Sequence, residues 1–266
     1  MITMDDQYRL SDFGLVQEEG HNHPPVPFIH RKTLHIPGKK GVWDFGTEIR
    51  EKHFNIPLAT QGRNLNELQH QLNQFVEFLY DEYGEPRLFK LVFDYEPDKF
   101  YLVKVSTQFE VERVKPFSRF VLPLVANYPY KQFIKESNEV TWESDIPIIS
   151  DITWLYGLDE FEIKSPQTID VQNDGNLIVR PVIIISGTAN TLSLTMNGES
   201  FSFDQISQPI EIDAEKYLVK VNGIEKLDTV TGNMKNMYLS PGNNKIQISG
   251  SGLNLTMTIK FRNHYK

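Results

Sequence analysis

One stretch of the chain has a helical period. Leu65, Leu68, Leu72, Phe75, Val76, Leu79 and Tyr83 recur three and four residues apart, which predicts a helix with one apolar face. Asn64 with Glu67 three residues on reads as a capping box, and Gly84 followed by Pro86 as the stop. The opposite face (Asn66, Gln69, Gln71, Asn73, Gln74) is polar but uncharged. It suits either solvent or a neighbouring subunit.

Nearly everything else alternates with period two. Leu88 to Phe93 and Phe100 to Val105 flank Asp94-Tyr95-Glu96-Pro97-Asp98-Lys99, which has the composition of a hairpin loop. Phe109 to Val114 and Phe117 to Val125 continue the pattern. Further on come Thr168 to Val171, Leu177 to Ile185, Thr191 to Met196, Ser200 to Phe203, Ile210 to Ile212, Tyr217 to Val221, Lys245 to Ile248 and Leu253 to Phe261. Asp174-Gly175, Asn197-Gly198, Asn222-Gly223 and Pro241-Gly242 punctuate them. Short strands with turns at this spacing predict a β-sandwich.

The texture changes near Tyr128-Pro129-Tyr130. The helix and six of the seven His lie before it, and all four Gly turns lie after. A chain of 266 residues is long enough for two domains, so the expectation is one over 1–130 and a second over 131–266. Residues 131 to 158 fit either side. The whole is mostly β.

Composition narrows the chemistry. There is no cysteine, which removes disulfides, thiolate metal sites and a cysteine nucleophile. The net charge of −8 is spread over both halves, and the pI near 5.4 lacks the basic face of a dedicated nucleic-acid binder. The N-terminus does not read as a secretory signal, and no apolar run is of membrane-spanning length.

Candidate sites are few. His21-Asn22-His23, with His30 and His35 nearby, is the one metal-like cluster, but it lies in a Pro-rich stretch and reads better as a solvated loop. Gly38-Lys39-Lys40-Gly41 lacks phosphate-loop spacing and reads as a turn between two strands with lysines at its tip. No nucleophile elbow is present, and Ser144-Asp145 or Ser150-Asp151 without a nearby His carries little. No catalytic residue, cofactor or metal is assigned, and an enzyme is not expected. A sugar site wants an exposed aromatic platform. From residue 155 onward there is no Trp, while Phe201, Phe203, Tyr217, Tyr238, Phe261 and Tyr265 include several with core-strand alternation. Trp142 and Trp154 read as packing anchors.

Certain motifs do resemble a family. Asp12-Phe13-Gly14, then Ile36-Pro37-Gly38-Lys39-Lys40-Gly41-Val42-Trp43-Asp44-Phe45-Gly46, then one amphipathic helix and a Pro-containing hairpin, resemble the distal tail proteins of long-tailed, non-contractile bacteriophages. Asn173 to Pro181 leading to Ile185-Ser186-Gly187, and Leu239 to Ile246, resemble that family's second half.

The resemblance implies an N-terminal β-sandwich or split barrel with one helix, and a galectin-like C-terminal β-sandwich. It further implies a homo-hexameric ring at the tail tip of a phage or prophage virion, made in the host cytoplasm, with DNA passing through the lumen. The implied partners are the tail-tube protein, a tail-associated lysin or fibre protein, and in some phages receptor-binding proteins. Within the motif, Ile36, Pro37, Gly38, Gly41, Trp43, Asp44, Phe45 and Gly46 are the structural or interface residues to follow. Trp43 and Phe45 alternate with Val42 and Asp44 as in a strand, and a well-formed hairpin alone would account for them. The competing function is a carbohydrate-binding module, in which the C-terminal sandwich recognises a host-surface glycan.

Overall fold

The structure is a computed structural model that describes residues 2–61, 64–114, 117–140, 150, 160–226 and 229–266. Trp142, Trp154, Ser144, Asp145 and Asp151 lie outside the described residues. The chain divides into two compact units, Met1–Lys131 and Gln132–Lys266.

The first unit contains β1 (Ile2–Met4), β2 (Tyr8–Arg9), β3 (Leu15–Gln17), β4 (Ile29–Leu34), β5 (Trp43–Ile49), β6 (Lys52–Gln61), the helix α1 (Leu65–Leu79), β7 (Phe89–Phe93), β8 (Glu96–Val105), β9 (Glu112–Val114) and β10 (Phe117–Ala126). Its main sheet runs β2-β1-β7-β8-β10-β6-β3, with β9 also on β10 and β4 paired only with β5. Strand β6 went unread in the sequence although Phe54, Ile56 and Leu58 alternate there. All three are fully buried, and the strand pairs with β10 from Lys52–Ala126 to Gln61–Phe117. Pro57 sits in its middle, which discourages a strand reading.

Helix α1 begins as expected, with Asn64 Oδ1 accepting from the Glu67 N–H at 3.0 Å. It buries Leu68, Leu72, Phe75 and Leu79 against β-strand residues such as Phe120. Its end differs from expectation. The helix stops at Tyr80 because Asp81 Oδ1 accepts from Tyr83 N–H and Glu85 N–H, organising a turn that starts five residues before Pro86. Tyr83 therefore leaves the apolar face and is 84% exposed, while Leu65 and Val76 flank the buried stripe and stay exposed. The polar face is not uniformly solvated either, since Gln71 bonds Thr60 and lies against Gly14. The 94–99 loop contracts to Asp94-Tyr95. β8 begins at Glu96, and Asp98 is buried within it. Of the 109–114 strand only Glu112–Val114 pairs, because Phe109 instead stacks on Phe120, centroids 5.3 Å apart.

Strand β11 (Lys131–Phe133) spans the division between the units. The second unit then holds β12 (Glu160–Ile163), β13 (Gln167–Asn173), β14 (Val182–Thr188), β15 (Thr191–Met196), β16 (Glu199–Phe203), β17 (Ile210–Asp213), β18 (Leu218–Val221), β19 (Ile224–Glu225), β20 (Val230–Thr231), β21 (Gly242–Ser251), β22 (Asn254–Lys260) and β23 (His264–Tyr265). Two sheets, β12-β22-β14-β17-β18-β19 and β13-β21-β15-β16-β20, share one core. Ile183, Ile185, Ile212, Met257 and Ile259 of the first face Leu194, Phe201, Ile246 and Ile248 of the second. This is a β-sandwich, each fully buried side chain contributing about 1.5–3 kcal/mol.

The Asn-Gly turns behave as read. Asn197 and Asn222 have φ of +51° and the glycines after them +77°, the two positive angles that a two-residue hairpin turn requires. Asp174-Gly175 is different. Asn173 is buried and donates to the carbonyls of Leu177 and Leu239 while accepting from the Gly175 N–H, so this segment is a pinned loop rather than a hairpin. The segment from Leu177 is strand only from Val182, and the last long strand stays in this unit between β12 and β14.

Candidate functional site: an exposed two-stranded arm

The motif Ile36 to Gly46 forms the end of a hairpin that pairs with no other strand among the described residues. β4 and β5 are joined at their root by Arg50 N–H donating to Phe28 carbonyl at 2.9 Å and Phe28 N–H to Glu51 carbonyl at 3.2 Å. The register runs Ile29–Ile49, His30–Glu48, Arg31–Thr47 and then jumps to Thr33–Asp44 and Leu34–Trp43. The extra residue lies at Phe45-Gly46, a β-bulge in which Gly46 takes φ +97°. Asp44 fastens the bulge by accepting from Gly46 N–H at 2.9 Å and from Arg31 Nη2 at 2.7 Å. The Arg31 bond, with the Gly46 bond second, holds the Asp44 carboxyl below the usual carboxylate range.

The alternation of this arm places apolar side chains on both faces, and among the described residues neither face is covered. Leu34 is 50% exposed, Trp43 51% and Phe45 66%, with Phe28, Ile29, Ile36, Val42 and Ile49 also exposed. A lone hairpin is marginal in water, and contiguous exposed apolar surface marks an interaction site. The eight motif residues therefore come together in one element. Gly38 and Gly41 have φ +84° and form the tip with Pro37, and Trp43, Asp44, Phe45 and Gly46 shape its return strand. The arm is also basic in an acidic protein, since residues 29–50 carry five Lys and Arg against two acids.

A second cluster departs from the solvated loop that its sequence suggests. His23 stacks on Phe93 with centroids 4.6 Å apart, bonds Tyr95 Oη through Nδ1, and lies 3.1 Å from Tyr101 Oη through Nε2. Lys52, 3% exposed, donates to the same Tyr101 oxygen at 2.9 Å. Lysine has only donors, so the Tyr101 oxygen accepts from Lys52 while its hydroxyl also lies within hydrogen-bond distance of His23 Nε2. The signal was in the sequence only as His at i and i+2. Its partners lie some 70 residues away, beyond any local pattern. Among the described residues no group of three or more His, Asp or Glu is placed to hold a metal ion.

Burial, then the charges of Lys52 and Lys131, lowers the His23 pKa to about 4, against a partial offset from Glu96. Burial likewise lowers Lys52 to about 8 and raises Tyr95 to about 12. Between pH 6.5 and 4 the unfolded chain binds a proton at His23 that the folded chain refuses, so stability falls as pH drops through that window. After allowance for partial exposure the loss is about 2 kcal/mol. Thermal unfolding at pH 7 and pH 4.5 should show a larger decline for the native protein than for His23→Gln. Equal declines would contradict the assignment.

Residues 8–126 match the family described as the phage tail protein RIFT-related domain. No curated protein matches. Among solved structures, the Dit protein of phage SPP1 is similar, with 12% identity, a TM-score of 0.69, and 98% of this chain and 99% of that one covered. A chain of the phage p2 baseplate in its activated conformation aligns at 10% identity and TM-score 0.41 over 98% and 97%. The SPP1 likeness extends over both units and concerns the fold, whereas the family match falls wholly in the unit that bears the arm. Residues 8–126 are thus similar to a phage tail protein domain, and along nearly its whole length the chain has a fold like that of the SPP1 Dit protein.

Proposed function

We propose that this protein is a structural subunit of a phage tail tip in the virion, and that its N-terminal unit assembles into a hexameric ring. The observation that carries this is the arm. It exposes apolar side chains on both faces, in a unit of a phage tail family, and its two-stranded form gains stability only against a partner. The SPP1 relative is described as a paradigm of a hub adsorption apparatus in phages infecting Gram-positive bacteria. By analogy, the ring joins the tail-tube protein to a tail-associated lysin or fibre protein, with receptor-binding proteins as further partners and DNA passing through the lumen. The role is one of scaffolding, without catalysis.

Among the described residues, the second unit's aromatics give the glycan-binding alternative no support. Phe201, Phe203, Phe261 and Tyr265 are buried, and the exposed Tyr217 lies with the Arg180 guanidinium 5.3 Å from its ring centroid. Electron microscopy of the purified protein, alone and with tail-tube protein, tests the proposal. Class averages should show six-fold rings with a central hole, and isolated monomers under both conditions would overturn it.

A further inference from the structure

We propose that the arm tip, Gly38-Lys39-Lys40-Gly41, seats in a groove on the N-terminal unit of the next copy of this chain. This rests on the ring assembly proposed above and names its socket. Strand β10 is paired along its length with β6 on one side. On the other side β9 covers Phe117–Arg119 and β8 covers Leu124–Val125, with Ser106 N–H donating to Pro123 carbonyl at 3.0 Å. Between them residues 107–111 stand off the strand and leave an open groove of about 710 Å³. The stacked rings of Phe109 and Phe120 and the exposed Val121 line it. Glu18, Glu110 and Glu112 also border it, against one cation, Arg119, which Glu18 holds at 2.9 Å.

The tip has the complementary character. Arg31 and Lys32 are already paired with Asp44 and Glu48 lower on the arm, whereas residues 35–42 contain two lysines and no acid. Lys39 Nζ lies 3.6 Å from the Trp43 ring centroid. In the groove the two ammonium groups meet Glu110 and Glu112, and their aliphatic stems cover the aromatic floor. Plug and socket are different surfaces of one unit, so each copy gives its arm to one neighbour and receives another's. Such head-to-tail contacts close into a ring when the rotation per step divides the circle.

The test mixes unlabelled and ¹⁵N-labelled full-length protein, assembles it and applies a zero-length carbodiimide cross-linker. Linked peptides of hybrid isotope composition should join Lys39 or Lys40 to Glu110 or Glu112. In parallel, Lys39→Glu with Lys40→Glu, and Glu110→Lys with Glu112→Lys, should each weaken assembly about tenfold or more, and the four changes together should restore it. Rings that form with no such cross-links and tolerate both reversals overturn the socket and leave the ring standing. A native protein that forms no ring overturns both.

Discussion

Replacing Trp43 and Phe45 together by serine should leave the protein folded and abolish its assembly. Neither side chain belongs to the buried core, so their removal takes nothing from the packing around Phe54, Phe75 and Leu122. Surface changes of this kind usually stay within about 0.5 kcal/mol. At an interface the same aromatics act as anchors, each truncation costing about 2 kcal/mol or more. The pair should therefore weaken each contact by about a thousandfold. Sedimentation velocity on native and variant protein, with a thermal melt alongside, checks both halves. A lowered melting temperature would place the two rings in the fold itself, and unchanged assembly would remove the arm from the interface.

The second large effect concerns the sandwich. Gly187 lies within the paired part of β14, opposite Leu255, with φ +114°, and a Cβ there would fall 2.2 Å from the Asn254 carbonyl oxygen of β22. Backbone cannot yield that space without breaking the ladder between Ile185–Met257 and Thr188–Asn254. Gly187→Ala should cost about 3 kcal/mol, which lowers the unfolding midpoint of this unit by about 10 °C. Gly38→Ala is the contrast. That glycine also has positive φ, but nothing lies within 4 Å of its added Cβ. It should lose only the left-handed preference, about 1 kcal/mol, in an arm outside the core. Differential scanning calorimetry of the two variants decides between steric and conformational demand. Equal melting curves would contradict the clash at Gly187.

These residues also show what the sequence could reveal. Alternation is local, so β10, β15, β17 and the Asn-Gly turns could be read directly, as could the buried stripe of α1. What failed was decided by side-chain contacts that hydrophobic alternation does not encode. Asp81 ends the helix early through its own turn, and Phe109 leaves its strand to stack on Phe120. His23 gains its character from Phe93, Tyr95, Tyr101 and Lys52. The arm is the intermediate case. Its glycines and alternating Trp43 and Phe45 spelled a hairpin, but a hairpin on the core and one standing in solvent have the same pattern. Only the fold shows that no described residue of the unit covers it. The resemblance to distal tail proteins pointed to a phage tail, and the exposed faces give the proposed interface role of the motif a physical reason.

Assembly is the central claim, and mass reports it most directly. Mass photometry of the native protein, diluted from about micromolar concentration with and without tail-tube protein, should reveal a species at six times the 30.8 kDa chain. A single peak at the mass of one chain under every condition would contradict the account.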